Sequence, residues 1–397
     1  MFIKKRFSFI PLVLILSVMG CQSAVEAPDE KTVLGDELQK VVAAAVDNNA
    51  MVRSAALYVD APALGLSWEG AAGSADPEKG LPMTPATPVR IASNTKTFVA
   101  ASILRLMEEG ALSLDDPVAA HLPDEYTSAL KKDGYDPEAM TVRHLLTHTS
   151  GLFDHSSSPK YEEAIFSNPQ RRWTPEDQFE AAMEWGDPHG APGEIFTYCD
   201  TGYILLCVIL ERISGNPLAE AVRDLLRYDL RGLRATWWET LEPQPAGVPE
   251  RAHQFIGDID TAGFDPSFDL YGGGGLVSTV GDMARFFRAL FEGAFYNEED
   301  TIDTMLTTVE GARALADAGS SSIAPGAYRM GIWEEELEGF KTYRHSGFFG
   351  TCAVYVPDLD LVIACCVNQH NARSALYDIV RQALVLVSEA CAEDRVR

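Results

Sequence analysis

Apolar residues recur at helical spacing from Leu34 to Val46 (Leu34, Leu38, Val41, Val42, Val46), and Asp47-Asn48-Asn49 ends the run. This predicts a helix over 34–46. Val52–Val59 and Leu64–Ala72 change to strand character, with turn residues between them. From Ser93 to about residue 265 the pattern is mostly helical and is broken by Pro, Gly and Asp. Within it, Gly202–Ser214 is a strongly apolar helix closed by Gly215-Asn216-Pro217. Asp282–Leu290 reads as a further helix. Segments rich in Val, Tyr, Ile and Cys follow at 343–345, 351–356 and 359–367, and Ala372–Glu389 is amphipathic.

Strands therefore occupy both ends of the chain and helices its middle. The expected class is α+β, with one antiparallel sheet assembled from both ends, flanked by the terminal helices, and a helical subdomain inserted. The expected α/β part is 34–95 with 268–392, and the helical part is 96–267. The cleft between two such parts is a usual place for a ligand.

Ser93-Asn94-Thr95-Lys96 lies just before the apolar run Phe98–Leu104. Residues three apart share a helix face, so Ser93 and Lys96 point the same way. A serine hydroxyl is a weak nucleophile until a base takes its proton, and a lysine in a dry pocket can lose its charge. A lone serine at a helix start is ordinarily an N-cap. Two later motifs, Tyr198-Cys199-Asp200 and His345-Ser346-Gly347, raise this one above that reading.

With Thr141–Leu152 (TVRHLLTHTSGL) and Gly273–Met283 (GGGLVSTVGDM), these motifs resemble the serine β-lactamase and penicillin-recognising family on its class C side, from about residue 35 to about residue 390. That side also holds D-alanyl-D-alanine carboxypeptidases, D-aminopeptidases and esterases. The resemblance implies a serine hydrolase that works through an acyl-enzyme, without cofactor or metal, on β-lactam, D-aminoacyl or cell-wall peptide substrates. A promiscuous carboxylesterase and a non-catalytic penicillin- or peptide-binding lipoprotein are the alternatives. It makes Ser93 the nucleophile and Lys96 with Tyr198 the proton network. It makes Asp200, His345 and Gly347 substrate-binding, and the backbone N–H groups of Ser93 and Phe348 an oxyanion hole. Whether Lys96 or Tyr198 takes the proton stays open. A nearby ammonium is expected to lower the phenol's pKa.

Two residues depart from the family pattern. Asp200 stands where asparagine is commonest, and a carboxylate accepts hydrogen bonds but cannot donate one. It could instead pair with Lys96. His345 stands where many relatives carry a lysine that grips a substrate carboxylate. Histidine titrates near pH 6.5.

Lys4, Lys5 and Arg6 followed by the apolar run Phe7–Met19 read as a signal peptide over 1–20. Val18-Met19-Gly20-Cys21 resembles a bacterial lipobox, so Cys21 is the expected lipidation site. The polar stretch 21–33 is the expected tether, and the hydrolase domain spans 34–392. The expected location is the bacterial cell envelope, lipid-anchored and facing the periplasm; the outer membrane is the favoured side, and which membrane it is stays open. The formal net charge of −26 argues against a nucleic-acid partner. The remaining six of the seven cysteines have no zinc-site spacing and read as buried thiols, with Cys352 and Cys365 placed to face each other across a hairpin. His144, His148 and His155 lack a metal motif; His148 is expected to hold buried backbone in its loop. Gly272–Gly275 reads as a close approach of the chain to the site wall. The absence of a Gly-x-Ser-x-Gly elbow argues against an α/β-hydrolase.

Overall fold

The computed structural model describes residues 30–308, 311–314 and 327–395. The expected leader, most of the tether and Cys21 lie outside the described residues. The first part of the chain contains α1 (Glu30–Asp47), β1 (Ser54–Ala61), β2 (Leu66–Asp76), β3 (Leu81–Pro82) and α2 (Thr95–Glu108), with the short strand Val89–Arg90 just before α2. Later come α3 (Asp200–Ser214), α4 (Val280–Phe291), β4 (Trp333–Leu337), β5 (Phe340–Gly347), β6 (Thr351–Val356), β7 (Leu361–Cys366) and α5 (Arg373–Asp394). The main sheet runs β4-β5-β6-β7-β1-β2-β3 and is antiparallel throughout. The last strand of the chain thus pairs with the first, Leu57 opposite Cys365 and Val59 opposite Ile363.

The two-residue period of the strands decides the layers. Ala55, Leu57, Val59, Val354, Val356, Ile363 and Cys365 face α1 and α5. The alternate residues Ala56, Ala353, Val362, Ala364 and Cys366 join the core that contains α4 and the helical part. Both faces of β7 are covered, which is why Leu361–Cys366 reads as an unbroken apolar run and not as an alternation. Burying each Val, Leu or Ile there stabilises the fold by about 1.5–3 kcal/mol.

β4 was not expected from the sequence. Trp333-Glu334-Glu335-Glu336-Leu337 carries three glutamates, a residue depleted in strands. At the sheet edge two of them are matched across the ladder or from the adjoining turn, Glu335 with Arg344 and Glu334 with both Lys341 and Arg329. α3 begins two residues earlier than its apolar pattern, at Asp200. It ends where expected, on Gly215 with φ +70.

α2 runs through the middle of the helical part. Every residue from Thr95 to Leu106 is buried, so the helix lacks the polar stripe of a surface helix. Phe98 stacks on Phe286 of α4, with ring centroids 3.5 Å apart. The N-terminus of α2 is thereby fixed beside the end of β5.

Candidate active site

The chain reaches Ser93 from the short strand Val89–Arg90, which pairs with Leu276–Ser278. Ala92 takes φ +45 and is fully buried. A non-glycine residue held in that region costs of order 1–3 kcal/mol and persists only where its surroundings impose it. Here Asn94 Nδ2 donates to Ile91 O (3.0 Å) and Thr351 Oγ1 (2.9 Å), and Thr351 Oγ1 donates to Ile91 O (3.0 Å). These bonds tie the Ser93 turn to the start of β6. Gly347 completes the junction: a Cβ there would sit 2.2 Å from Ile91 O. The strand end that carries the Phe348 N–H can therefore touch the turn that carries the Ser93 N–H only because residue 347 is glycine.

Ser93 is half-buried among buried neighbours. Lys96, one helical turn on, is fully buried. Its Nζ donates to Ser93 Oγ (3.1 Å) and to Gly273 O (2.6 Å), and it pairs with Asp200 Oδ1 (2.6 Å). An ammonium has three hydrogens, which Ser93, Gly273, Asp200 and the Tyr198 phenol share. Burial alone would push Lys96 toward neutrality. The negative charge of Asp200 and the Tyr198 phenol outweigh it and hold the ammonium well above its usual range.

Asp200 and Tyr198 arrive together at the head of α3. Asp154, from the loop that follows the helix Val142–Leu146, accepts from the Asp200 N–H (3.0 Å) and so caps this helix from outside. Gly273 lies close enough that a Cβ would meet the Asp200 carboxyl at 3.0 Å. Burial raises Asp200's pKa, but the Lys96 ammonium more than reverses it, so the carboxylate stays charged. Tyr198 hydrogen-bonds with both Lys96 and Ser93, and its ring lies 4.8 Å from Lys96 Nζ. Its pKa is nevertheless pushed up to about 12, because burial exceeds the pull of Lys96 and Asp200 opposes that pull. The sequence-based expectation of a lowered phenol pKa is corrected here: burial outweighs the lysine, and the carboxylate next door adds to the rise.

The structure thus brings Ser93, Lys96, Tyr198 and Asp200 to one point. His345 lies nearby, with its ring centroid 6.3 Å from that of Tyr198, and both of its nitrogens are engaged inside the protein. Nδ1 is 3.0 Å from Ser346 O, and Nε2 is 3.2 Å from the Tyr328 hydroxyl. Burial first, then Lys96, lower its pKa to about 3. His345 is therefore a neutral group that braces Tyr328, with no charge to offer a substrate carboxylate.

Sequence reasoning missed several contributors. Asn94 and Thr351 set the nucleophile's turn, and Asp154 caps α3. Asp269 lies against Gly274, where a Cβ would meet its carboxyl at 2.5 Å. The Asp154-His155-Ser156 turn was readable as such, since Asp154 accepts from Ser156 N–H, but its second partner at position 200 was not. A cavity of about 530 Å³ between Arg234, Thr279 and Arg285 lies elsewhere and shares no residue with this cluster. Among the described residues no group of three His, Cys, Asp or Glu could hold a metal ion.

The Beta-lactamase family profile matches residues 35–387. Esterase EstB of Burkholderia gladioli is 36% identical over 186 residues, 46% of this chain and 46% of its own. The chain spans about half the length, or less, of the curated relatives it matches, from 28% to 59%. Among solved structures, a D-stereospecific amidohydrolase from Streptomyces sp. superposes with TM-score 0.71 at 25% identity, covering 89% of this chain and 98% of the other. The D-amino acid amidase of Ochrobactrum anthropi SV3 shares the fold, with TM-score 0.75 at 22% identity and coverages of 90% and 99%. With most of its length inside the family profile, this chain belongs to the β-lactamase family.

Proposed function

We propose that the protein is a serine hydrolase that cleaves small amides or esters through an acyl-enzyme on Ser93. The observation that carries this reading is the 3.1 Å contact of Ser93 Oγ with a fully buried lysine that is bound at the same time to Asp200 and Tyr198. Ser93 Oγ attacks the carbonyl carbon while its proton passes to whichever of Lys96 and Tyr198 has first given up its own proton to solvent. The carbonyl oxygen gains the negative charge facing the Ser93 and Phe348 amides. The carbonyl then re-forms, the leaving amine or alkoxide takes the proton, and the acyl group stays on Ser93. Water, giving its proton to the same network, repeats the sequence and frees the acid.

Electrostatics favour substrates without a carboxylate beside the scissile bond. Lys96 is already matched by Asp200, and His345 is neutral and internally bonded. Asp269, half-buried, makes no hydrogen bond or ion pair among the described residues. Burial, then Asp200, raise its pKa to about 7. A carboxyl of this kind suits a free amine. Amides and esters of D-amino acids fit better than β-lactams, and the names of the Streptomyces amidohydrolase and the Ochrobactrum amidase agree with that choice. Simple esters are the second reading, supported by the likeness to EstB.

The test is a panel of D- and L-phenylalanine amide, p-nitrophenyl butyrate and nitrocefin, with Ser93→Ala as control. Turnover of the D-amide that is lost in Ser93→Ala is the expected result. Turnover of nitrocefin alone would overturn the charge argument, and activity that persists in Ser93→Ala would remove Ser93 from its role. We also propose lipid anchoring at Cys21, on sequence grounds. Palmitate incorporation in bacteria should vanish in Cys21→Ser, and equal incorporation would reject it.

A further inference from the structure

The polypeptide that presents Tyr198 has no regular structure of its own just before α3, yet a base must be held within a few tenths of an ångström to be useful. One residue of another loop, His148, holds it on both sides. The His148 carbonyl accepts the Thr197 N–H (2.9 Å) and its ring Nδ1 accepts the Cys199 N–H (3.1 Å). These are the two amides that flank Tyr198. The next residue extends the contact, with Thr149 O accepting the Gly193 N–H (2.7 Å). The imidazole also lies on the Tyr198 ring, with centroids 4.3 Å apart and planes at 41°. Tyr328 and Tyr203 close around it at 4.5 and 5.1 Å.

The backbone shows why the side chain must do this. His148 has φ +57 and is only 2% exposed, so its own chain direction turns away after one carbonyl. The second acceptor has to come from a side-chain atom one bond beyond Cγ. Because Nδ1 accepts, the neutral ring carries its proton on Nε2. That buried nitrogen has no hydrogen-bond partner among the described residues and sits within the tyrosine cluster. Keeping the ring neutral also avoids a second cation beside Lys96.

We propose that His148 is a positioning residue that sets the Tyr198 phenol against Ser93 and Lys96. It acts through Tyr198 and touches no reacting atom. The proposal rests on the Ser93 reading above and adds the part that aims its base.

The test uses the full protein and a fluorophosphonate probe, which reacts with an activated serine by displacing fluoride. His148→Gly tolerates the left-handed backbone but removes ring and acceptor. His148→Asn also tolerates it and returns an oxygen to the Nδ1 position. The expected result is a labelling rate about 100-fold lower in His148→Gly and restored to within about tenfold in His148→Asn. In a Tyr198→Phe background, adding His148→Gly should cost less than about threefold more, because the two residues act as one unit. Should His148→Gly fail to fold, His148→Gln, whose oxygen overshoots the Cys199 amide, takes its place with the same expectation. A folded Gly or Gln variant that labels at the wild-type rate overturns the proposal. So does an Asn variant as slow as Gly, or a full additional loss on top of Tyr198→Phe. If the wild-type protein is itself unlabelled, the Ser93 reading falls and this one with it. If wild type labels and the variants match it, only His148 is removed.

Discussion

Replacing Asp200 with asparagine separates the charge of this residue from its shape. In the native site the carboxylate sits 2.6 Å from Lys96 Nζ. It stabilises the ammonium and disfavours a Tyr198 phenolate. Both effects keep a proton on the groups that must accept one from Ser93. An amide oxygen still accepts from Lys96 but brings no charge. At an effective dielectric of about 20, a unit charge about 4 Å away is worth about 4 kcal/mol, equivalent to about 3 pKa units at 1.36 kcal/mol each. Measured shifts beside an opposite charge are about 1–3 units. In Asp200→Asn the pKa of Lys96 and that of Tyr198 should both fall by that amount. The rising limb of kcat/KM against pH, followed with p-nitrophenyl butyrate from about pH 7 to 11, should then move to lower pH by about 1–3 units. The variant should level off where the wild type still climbs. Removing one partner of a buried ion pair costs about 3–5 kcal/mol when the other stays charged, so the urea midpoint should also fall. It should fall less at high pH, where Lys96 can shed its proton. A limb that stays in place, or that moves to higher pH, would refute the assignment of Asp200 as the group that sets the base.

Four other outcomes follow from the geometry. Gly347→Ala drives a methyl into Ile91 O, so it should destabilise by about 1–3 kcal/mol and slow Ser93 labelling; an unchanged midpoint and rate would show that β5 stands off the nucleophile's turn. Phe286→Ala removes the ring stacked on Phe98 and should cost about 3–5 kcal/mol in denaturant unfolding, whereas a cost under about 1 kcal/mol would mean that α2 and α4 are not packed as described. His345 holds its proton only below about pH 3 when folded but near 6.5 when unfolded. The unfolded chain therefore binds the extra proton, and stability should fall as pH drops from 6.5 toward 3, by up to about 1.4 kcal/mol per pH unit from this group. His345→Gln should flatten that slope, and an identical slope would assign it to other groups. Cys199, Cys207, Cys352, Cys365, Cys366 and Cys391 are free and buried. They should resist Ellman's reagent in the native protein and all react in guanidinium, and fewer than six reactive thiols would indicate a disulfide.

The catalytic cluster was legible to the extent that its spacing was local. Ser93 and Lys96 are one helical turn apart, so their shared direction follows from helix geometry alone. The strands of the sheet were legible because a two-residue period and an apolar run announce them. β4 was not, because its glutamates become compatible with a strand only beside Arg329, Lys341 and Arg344. The roles of His345 and Asp200 were also hidden. Both residue types were visible, but a histidine's charge depends on burial and on what its two nitrogens meet.

Residue chemistry and near-neighbour spacing thus determined the pairing of Ser93 with Lys96 and the class of fold, because periodicity and one-turn contacts are properties of the chain itself. Only the tertiary structure decided the protonation states: a charged Lys96, a phenol raised and not lowered, and a neutral His345. Those depend on the distance between Lys96 and Asp200 and on the exclusion of water. Residues 104 positions apart along the chain acquire such a relation only once the chain has folded.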